Sequence, residues 1–159
     1  MKRSVIPLAL CIVLAVAALW YAKPLLVRRV QQATAPGLGD LMLATLQPRH
    51  TKLGVAGQEK NWPYAAYELG ELQESFDRIA RLSRRWNDFA VAETIQAVTR
   101  EPMADLSAAI KHADAADFTQ AYGQLTEACD LCHQSAGRGM IVIRVPDASS
   151  FPDQDFRSR

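Results

Sequence analysis

The chain has 159 residues, with 18 Lys+Arg against 17 Asp+Glu, 49% apolar residues and three Cys. That length suits one core-bearing domain, and three cysteines exclude a disulfide-dense secreted scaffold. Charge is unevenly spread: residues 1–34 hold five basic side chains and no acidic one, leaving 13 basic and 17 acidic in residues 35–159, about −4. A mildly acidic body is a poor candidate for nucleic acid, which requires a basic face, so no nucleic-acid partner is expected.

Lys2 and Arg3 precede an apolar run over residues 5–22, closed by Trp20, Tyr21, Lys23 and Pro24. As a helix, those 18 residues rise roughly 27 Å, close to the ~30 Å hydrocarbon core of a bilayer. Two readings stand for residues 1–23. One is a cleaved secretory signal, for which Ala15-Val16-Ala17 is a small-x-small cleavage pattern. The other is a retained membrane anchor, which the length and the aromatic flank favour. Cys11 follows Leu10 where lipidation would need a small residue, and reads as a small apolar side chain in lipid. Residues 24–36, bounded by Pro24 and Pro36, read as a linker.

From Leu38 onward the apolar spacing is helical. A first helix runs through Leu38, Leu41, Met42, Leu46 and Leu53 to Gly57, with Pro48 expected to bend it. A second starts at the N-cap Asn61 with Pro63 in its first turn, and its last turns carry Arg78, Arg81, Arg84 and Arg85 as a solvated, dipole-complementing end. A third spans roughly 90–113, interrupted at Pro102. A fourth opens at Asp117, with Gln120 as capping-box partner, and carries a stripe of Phe118, Tyr122, Leu125, Cys129 and Cys132. Four helices with short connections predict an all-α, antiparallel four-helix bundle.

Cys129-Asp130-Leu131-Cys132-His133 is C-x-x-C-H, the attachment signature of a c-type haem. Two thiols three apart on a helix lie on one side and can each form a thioether with one porphyrin, while the adjacent imidazole reaches the iron. Cys129, Cys132 and His133 are thus the candidate sites of one covalent haem c, with His133 as the iron ligand. Three alternatives remain: structural zinc, a dithiol pair, and a free cysteine pair that merely fills core space and leaves His133 without a role. Zinc needs a fourth ligand that only His50 or His112, distant in sequence, could supply. A redox dithiol usually opens a helix after a strand, and here the pair lies near a helix end. Covalent haem attachment takes place on the outer face of the bacterial inner membrane, so the haem motif places residues 24–159 in the periplasm, tethered by residues 5–22 or released if that segment is cleaved.

A single C-x-x-C-H on the last helix of an all-helical chain resembles the class II c-type cytochromes, the cytochrome c′ group, over about residues 37–138. The stretch Arg49-His50-x-Lys52-Leu53, with Ala56-Gly57, Asn61-Trp62 and Ala65-Ala66-Tyr67-Glu68, is also similar to a bacterial group of cytochrome-c-domain proteins. The class II resemblance implies that His133 is the proximal ligand and that the first helix covers the distal face. There Met42 is the candidate second iron ligand, against the alternatives of core packing for Met42 and a closed apolar lid of Leu38, Leu41 and Leu46. It also implies a homodimer as a candidate assembly. His50, beside Pro48 and Arg49, reads as exposed or facing a propionate, and His112 as a surface residue.

The chain departs from that family after the haem motif. Gly137-Arg138-Gly139 ends the helix, and Met140-Ile141-Val142-Ile143 with Pro146 and Pro152 reads as an extended tail over residues 139–159. Burial of those four apolar side chains is expected to hold the tail against the bundle. The functional expectation is one-electron transfer to membrane or periplasmic redox proteins. A five-coordinate haem binding gases such as nitric oxide is the first alternative, and a non-haem zinc or dithiol module the second. Enzymatic activity is not expected, because the sequence holds no nucleophile–base set, phosphate loop or paired core carboxylates.

Overall fold

A computed structural model describes residues 6–34 and 36–158. The expected basic flank Lys2 and Arg3 and the start of the apolar run at Val5 lie outside the described residues. The chain divides into two compact units, residues 1–36 and 37–159.

In the first unit a single helix, α1, spans Ile6–Thr34 and passes through Pro24. Its window Leu10–Val27 has a mean hydropathy of 2.1 and none of it is buried, so α1 is long and apolar enough to cross a membrane or to serve as a signal sequence. This window sits five residues later than the expected span of 5–22, and residues 24–34 are helical where an irregular linker was expected. Proline removes one backbone donor, and between Pro24 and Pro36 no glycine or second proline opposes the helix.

The second unit contains α2 (Leu38–Leu41), a π-helical turn (Met42–Leu46), α3 (Gln47–Gln58), α4 (Trp62–Leu82), α5 (Val91–His112) and α6 (Ala115–Ser135). It has no strand among the described residues, so the protein is all-helical. α3 packs on α4 and α6, α4 on α5, and α5 on α6. Leu53, Leu72, Ile79, Val91, Leu106 and Leu125 are fully buried at the centre.

The disturbance expected at Pro48 takes the form of the π turn: Gln47 N–H bonds back five residues to the Met42 carbonyl. Pro48 cannot donate to Ala44 and its ring crowds that carbonyl, and a widened turn just ahead relieves both problems. α4 starts as expected, with the Asn61 side chain accepting from Tyr64 N–H at 3.3 Å and Pro63 in the first turn. It ends at Leu82, so Arg84 and Arg85 fall beyond the helix they were expected to close.

Two helix expectations fail at their ends or middles. α5 runs unbroken through Pro102, which is buried with Met103, so packing there offsets the lost backbone bond. α6 starts three residues earlier than expected. Ala113 adopts φ 55° to close α5, and the Asp114 carboxylate caps α6 by accepting from Ala116 N–H at 2.9 Å and Asp117 N–H at 3.0 Å. Asp117 instead sits in the first turn, where its charge complements the helix dipole.

The contact of α3 with α6 depends on two glycines. The Phe118 ring occupies the space where a side chain at Gly57 would begin, and the Tyr122 hydroxyl lies 2.5 Å from where a Cβ at Gly54 would sit. α3 can therefore approach the aromatic stripe of α6 more closely than any larger residue would allow.

Candidate functional site: the cavity lined by Cys129, Cys132 and His133

α6 terminates in a Schellman motif. Arg138 N–H bonds to the His133 carbonyl at 2.7 Å, Gly137 N–H to the Gln134 carbonyl at 3.0 Å, and Gly137 takes φ 68°. Only this left-handed step, natural for glycine, turns the chain back sharply enough for residues 140–143 to pass His133. The last two turns of α6 thus carry Cys129, Cys132 and His133 under the returning chain.

These three side chains line one cavity of about 490 Å³ in the second unit, a size typical of cofactor and small-molecule sites. Leu125 and Ala128 extend the same wall. Leu38, Met42, Leu46 and His50 form a second wall, and Met42 is half-buried there. Four-residue steps advance about 400° in an α-helix and drift some 40° each time. The π turn spends more residues per turn and takes up part of that drift, which keeps all four positions on the cavity. The structure therefore brings Met42, Cys129, Cys132 and His133 to a single chamber.

The two thiols are free. Burial, with the neighbouring Cys132 and Asp130 charges adding to it, pushes the Cys129 thiol up to about 12, and burial also raises that of Cys132. Both are protonated at neutral pH, the reverse of the activated thiolate of a dithiol oxidoreductase. His133 Nδ1 lies 3.1 Å from the Ile141 carbonyl. A carbonyl only accepts, so the bond requires Nδ1–H, and in the neutral ring Nε2 then keeps its lone pair. Asp130, inside the motif, accepts from Ile143 N–H at 2.7 Å.

His50 is buried, only 6% exposed, in place of the exposed or propionate-facing position expected for it. Its Nδ1 lies 3.0 Å from the Tyr122 hydroxyl and its Nε2 3.0 Å from Thr126 Oγ1. The Tyr122 hydroxyl also lies 2.7 Å from the His50 carbonyl, and Thr126 Oγ1 2.9 Å from the Tyr122 carbonyl, so each hydroxyl shares its one proton between the ring and a backbone acceptor. Burial holds His50 near pKa 4, with Asp130 opposing weakly. It is therefore neutral above pH 5. His112 is exposed in the last turn of α5, as its sequence position suggests.

Several residues at or near the site escaped sequence reasoning. Trp86 and Phe89, in the α4–α5 connection, line the cavity and exchange two backbone bonds of 3.0 Å around Asn87, which takes φ 52°. The signal was present: an Asn-Asp pair between two aromatics marks a tight turn. The Arg138 guanidinium stacks 4.3 Å above the Trp86 ring and also reaches the cavity. Glu68, wholly buried, accepts from Arg49 Nη1 at 3.1 Å, and Arg49 Nη2 reaches Glu71 at 2.8 Å. Nothing local in the sequence distinguishes Glu68 from the solvated carboxylates around it.

The tail does not follow its expected anchor. Met140, Ile141, Val142 and Val145 remain exposed, with Met140 at 74%. Ile141 and Ile143 instead border the cavity. What holds the tail is Phe156, 4% exposed and in the core, together with polar contacts. Asn61 Nδ2 donates to the Phe156 and Arg157 carbonyls, each at 3.2 Å, and Gln58 Nε2 to the Pro146 carbonyl at 2.8 Å. Phe156 can enter the core as a single large ring, whereas burying the 140–143 run would also bury backbone groups that need hydrogen bonds of their own.

Among the described residues no three His, Cys, Asp or Glu side chains converge as a metal cluster. Comparison of the chain with known families, characterised proteins and solved structures finds no match.

Proposed function

We propose that the protein is a membrane-tethered c-type cytochrome of the class II type, carrying one covalent haem c and passing single electrons to redox partners in the periplasm or at the membrane. The observation that carries this reading is the presence of all three C-x-x-C-H side chains on one cofactor-sized cavity inside a helical unit. The donor set fits a haem. Two protonated thiols are suited to bonding carbon, and a single imidazole is free at Nε2 to take a metal. Zinc is the weaker reading, since it would need four converging ligands where no three converge among the described residues. The raised thiol of Cys129 likewise counts against a dithiol redox pair.

On this reading Cys129 and Cys132 would hold the haem, and His133, with Met42 as the candidate second ligand, would bind its iron. The haem, when bound, supplies an iron that alternates between ferric and ferrous states. The chain's own residues do the rest. Leu38, Leu46 and Leu125 line the chamber with apolar surface, His50 stays neutral, and the returning tail borders one rim. The closed circuit of contacts from α3 through α4 and α5 to α6 is that expected of an antiparallel four-helix bundle, whose interior is a common place for cofactor ligands. α1 is then the retained anchor in the bacterial inner membrane, with the second unit in the periplasm, free to dimerise as class II relatives do. Its negative charge favours partners with a basic docking patch in salt-sensitive encounters.

A second reading follows from the apolar partners of Met42. Leu38 and Leu46 share its wall, so that side of the chamber stays apolar even without sulfur ligation, as a gas-binding five-coordinate haem would need. The decisive experiment is expression in a host with haem-attachment machinery. A mass increase of one haem, with stain surviving denaturing electrophoresis, is the expected result. A bare polypeptide mass with both thiols open to alkylation refutes it. Met42→Leu then separates the two haem readings: changed absorption and potential support methionine ligation, and unchanged values support gas binding.

A further inference from the structure

The sharp return at Gly137 brings the tail across the very residue proposed to hold the metal, and two bonds fasten it there. The Ile141 carbonyl accepts from His133 Nδ1–H at 3.1 Å, and Ile143 N–H donates to Asp130 at 2.7 Å. The strap is fixed at both ends. Upstream, the Schellman turn is followed by Ile141 N–H bonding to the Arg138 carbonyl at 2.9 Å. Downstream, Gln58 and Asn61 hold the Pro146 and Phe156 carbonyls, and Phe156 is buried in the core.

We infer that residues 138–143 form a strap that locks His133 in its Nδ1–H tautomer, with the Ile141 carbonyl and the Asp130 carboxylate acting as positioning groups for the ligand. The inference rests on the haem reading only for its redox consequence; the tautomer lock belongs to the polypeptide itself. Free histidine usually carries its proton on Nε2, the nitrogen that must be bare to bind a metal. A carbonyl held at Nδ1 reverses that preference and fixes the rotation of the ring, as outer-shell partners of metal-bound histidines do. It also draws the Nδ1 proton away, making the imidazole a more basic donor. A more basic ligand favours the higher oxidation state of the metal and lowers the reduction potential.

Asp130 is the handle on this device, because its side chain bonds the strap at Ile143 and makes no hydrogen bond to the His133 ring or to the anchor at Phe156. Two measurements on the full chain in detergent test the inference. The first uses protein made without haem attachment and records nitrogen-15 NMR of the histidine rings. His133 is expected mainly as the Nδ1–H tautomer, with ring-proton exchange at least ten-fold slower than that of exposed His112 at a pH where both are neutral. In Asp130→Ala the Nε2–H tautomer is expected to gain and the protection to be lost. The second uses haem-loaded protein, in which Asp130→Ala is expected to raise the reduction potential further than Asp130→Asn, which removes the charge but keeps an oxygen to accept from Ile143 N–H, at unchanged haem content. An Nε2–H tautomer for His133 in the parent overturns the lock whatever the variant does. Equal potentials in the two haem-loaded variants overturn its redox role. Failure of the parent to take up haem would sink the cytochrome reading instead, and the tautomer measurement would still decide the lock.

Discussion

Acidification loads a proton onto His50 in the unfolded chain well before it does so in the folded one. Unfolded, the ring titrates near 6.5; folded, burial holds it near 4. Throughout that window the unfolded chain binds more protons, so stability rises with pH and falls on acidification. From pH 7.5 to 4.5 the two pH units below 6.5, at about 1.4 kcal/mol each, remove roughly 2.5 kcal/mol of stability through this residue alone. His50→Leu is the matched control. It abolishes the titration, while the Tyr122 and Thr126 hydroxyls keep their backbone acceptors. Denaturant unfolding followed by circular dichroism at both pH values gives the loss for each protein, and carboxylate titration is common to both. The parent is expected to lose about 2.5 kcal/mol more than the variant. Equal losses would show that His50 is protonated in the folded protein as easily as in the unfolded one, refuting its burial.

Two further outcomes follow from packing. Gly57→Ala drives a methyl group into the buried Phe118 ring and is expected to cost about 1–3 kcal/mol in denaturant midpoint measurements; a neutral result would show that α3 and α6 are not in close contact. Phe156→Ala is expected to cost about 3–5 kcal/mol and to open residues 140–158 to limited proteolysis; a tail that stays resistant would mean that the ring is not its anchor.

What could be read from sequence was local. Asn61 followed by Trp62 and Pro63 marks the start of α4, because capping chemistry is confined to one turn. The stripe from Phe118 to Cys132 follows helical period, and it faces inward. The errors arose where a distant partner decides. Pro48 and Arg49 point to an exposed or propionate-facing His50, yet its partners Tyr122 and Thr126 lie more than seventy residues away. Pro102 reads as a break, but tertiary burial keeps the helix whole. The four adjacent aliphatic residues 140–143 read as the tail's anchor, although one aromatic, Phe156, holds it in the core. The π turn leaves no mark in apolar spacing, since its signature is a backbone bond displaced by one residue.

That displaced bond makes the segment from Met42 to Leu46 a slack link in the helix. A chain one residue shorter there would close the ladder to its regular form. Because the widened turn already takes up about one residue of rotation, everything upstream would keep nearly the same facing relative to α3. Leu38 would stay on the chamber wall. Loss of a second residue has no such slack to draw on and would swing Leu38 away by about 100°.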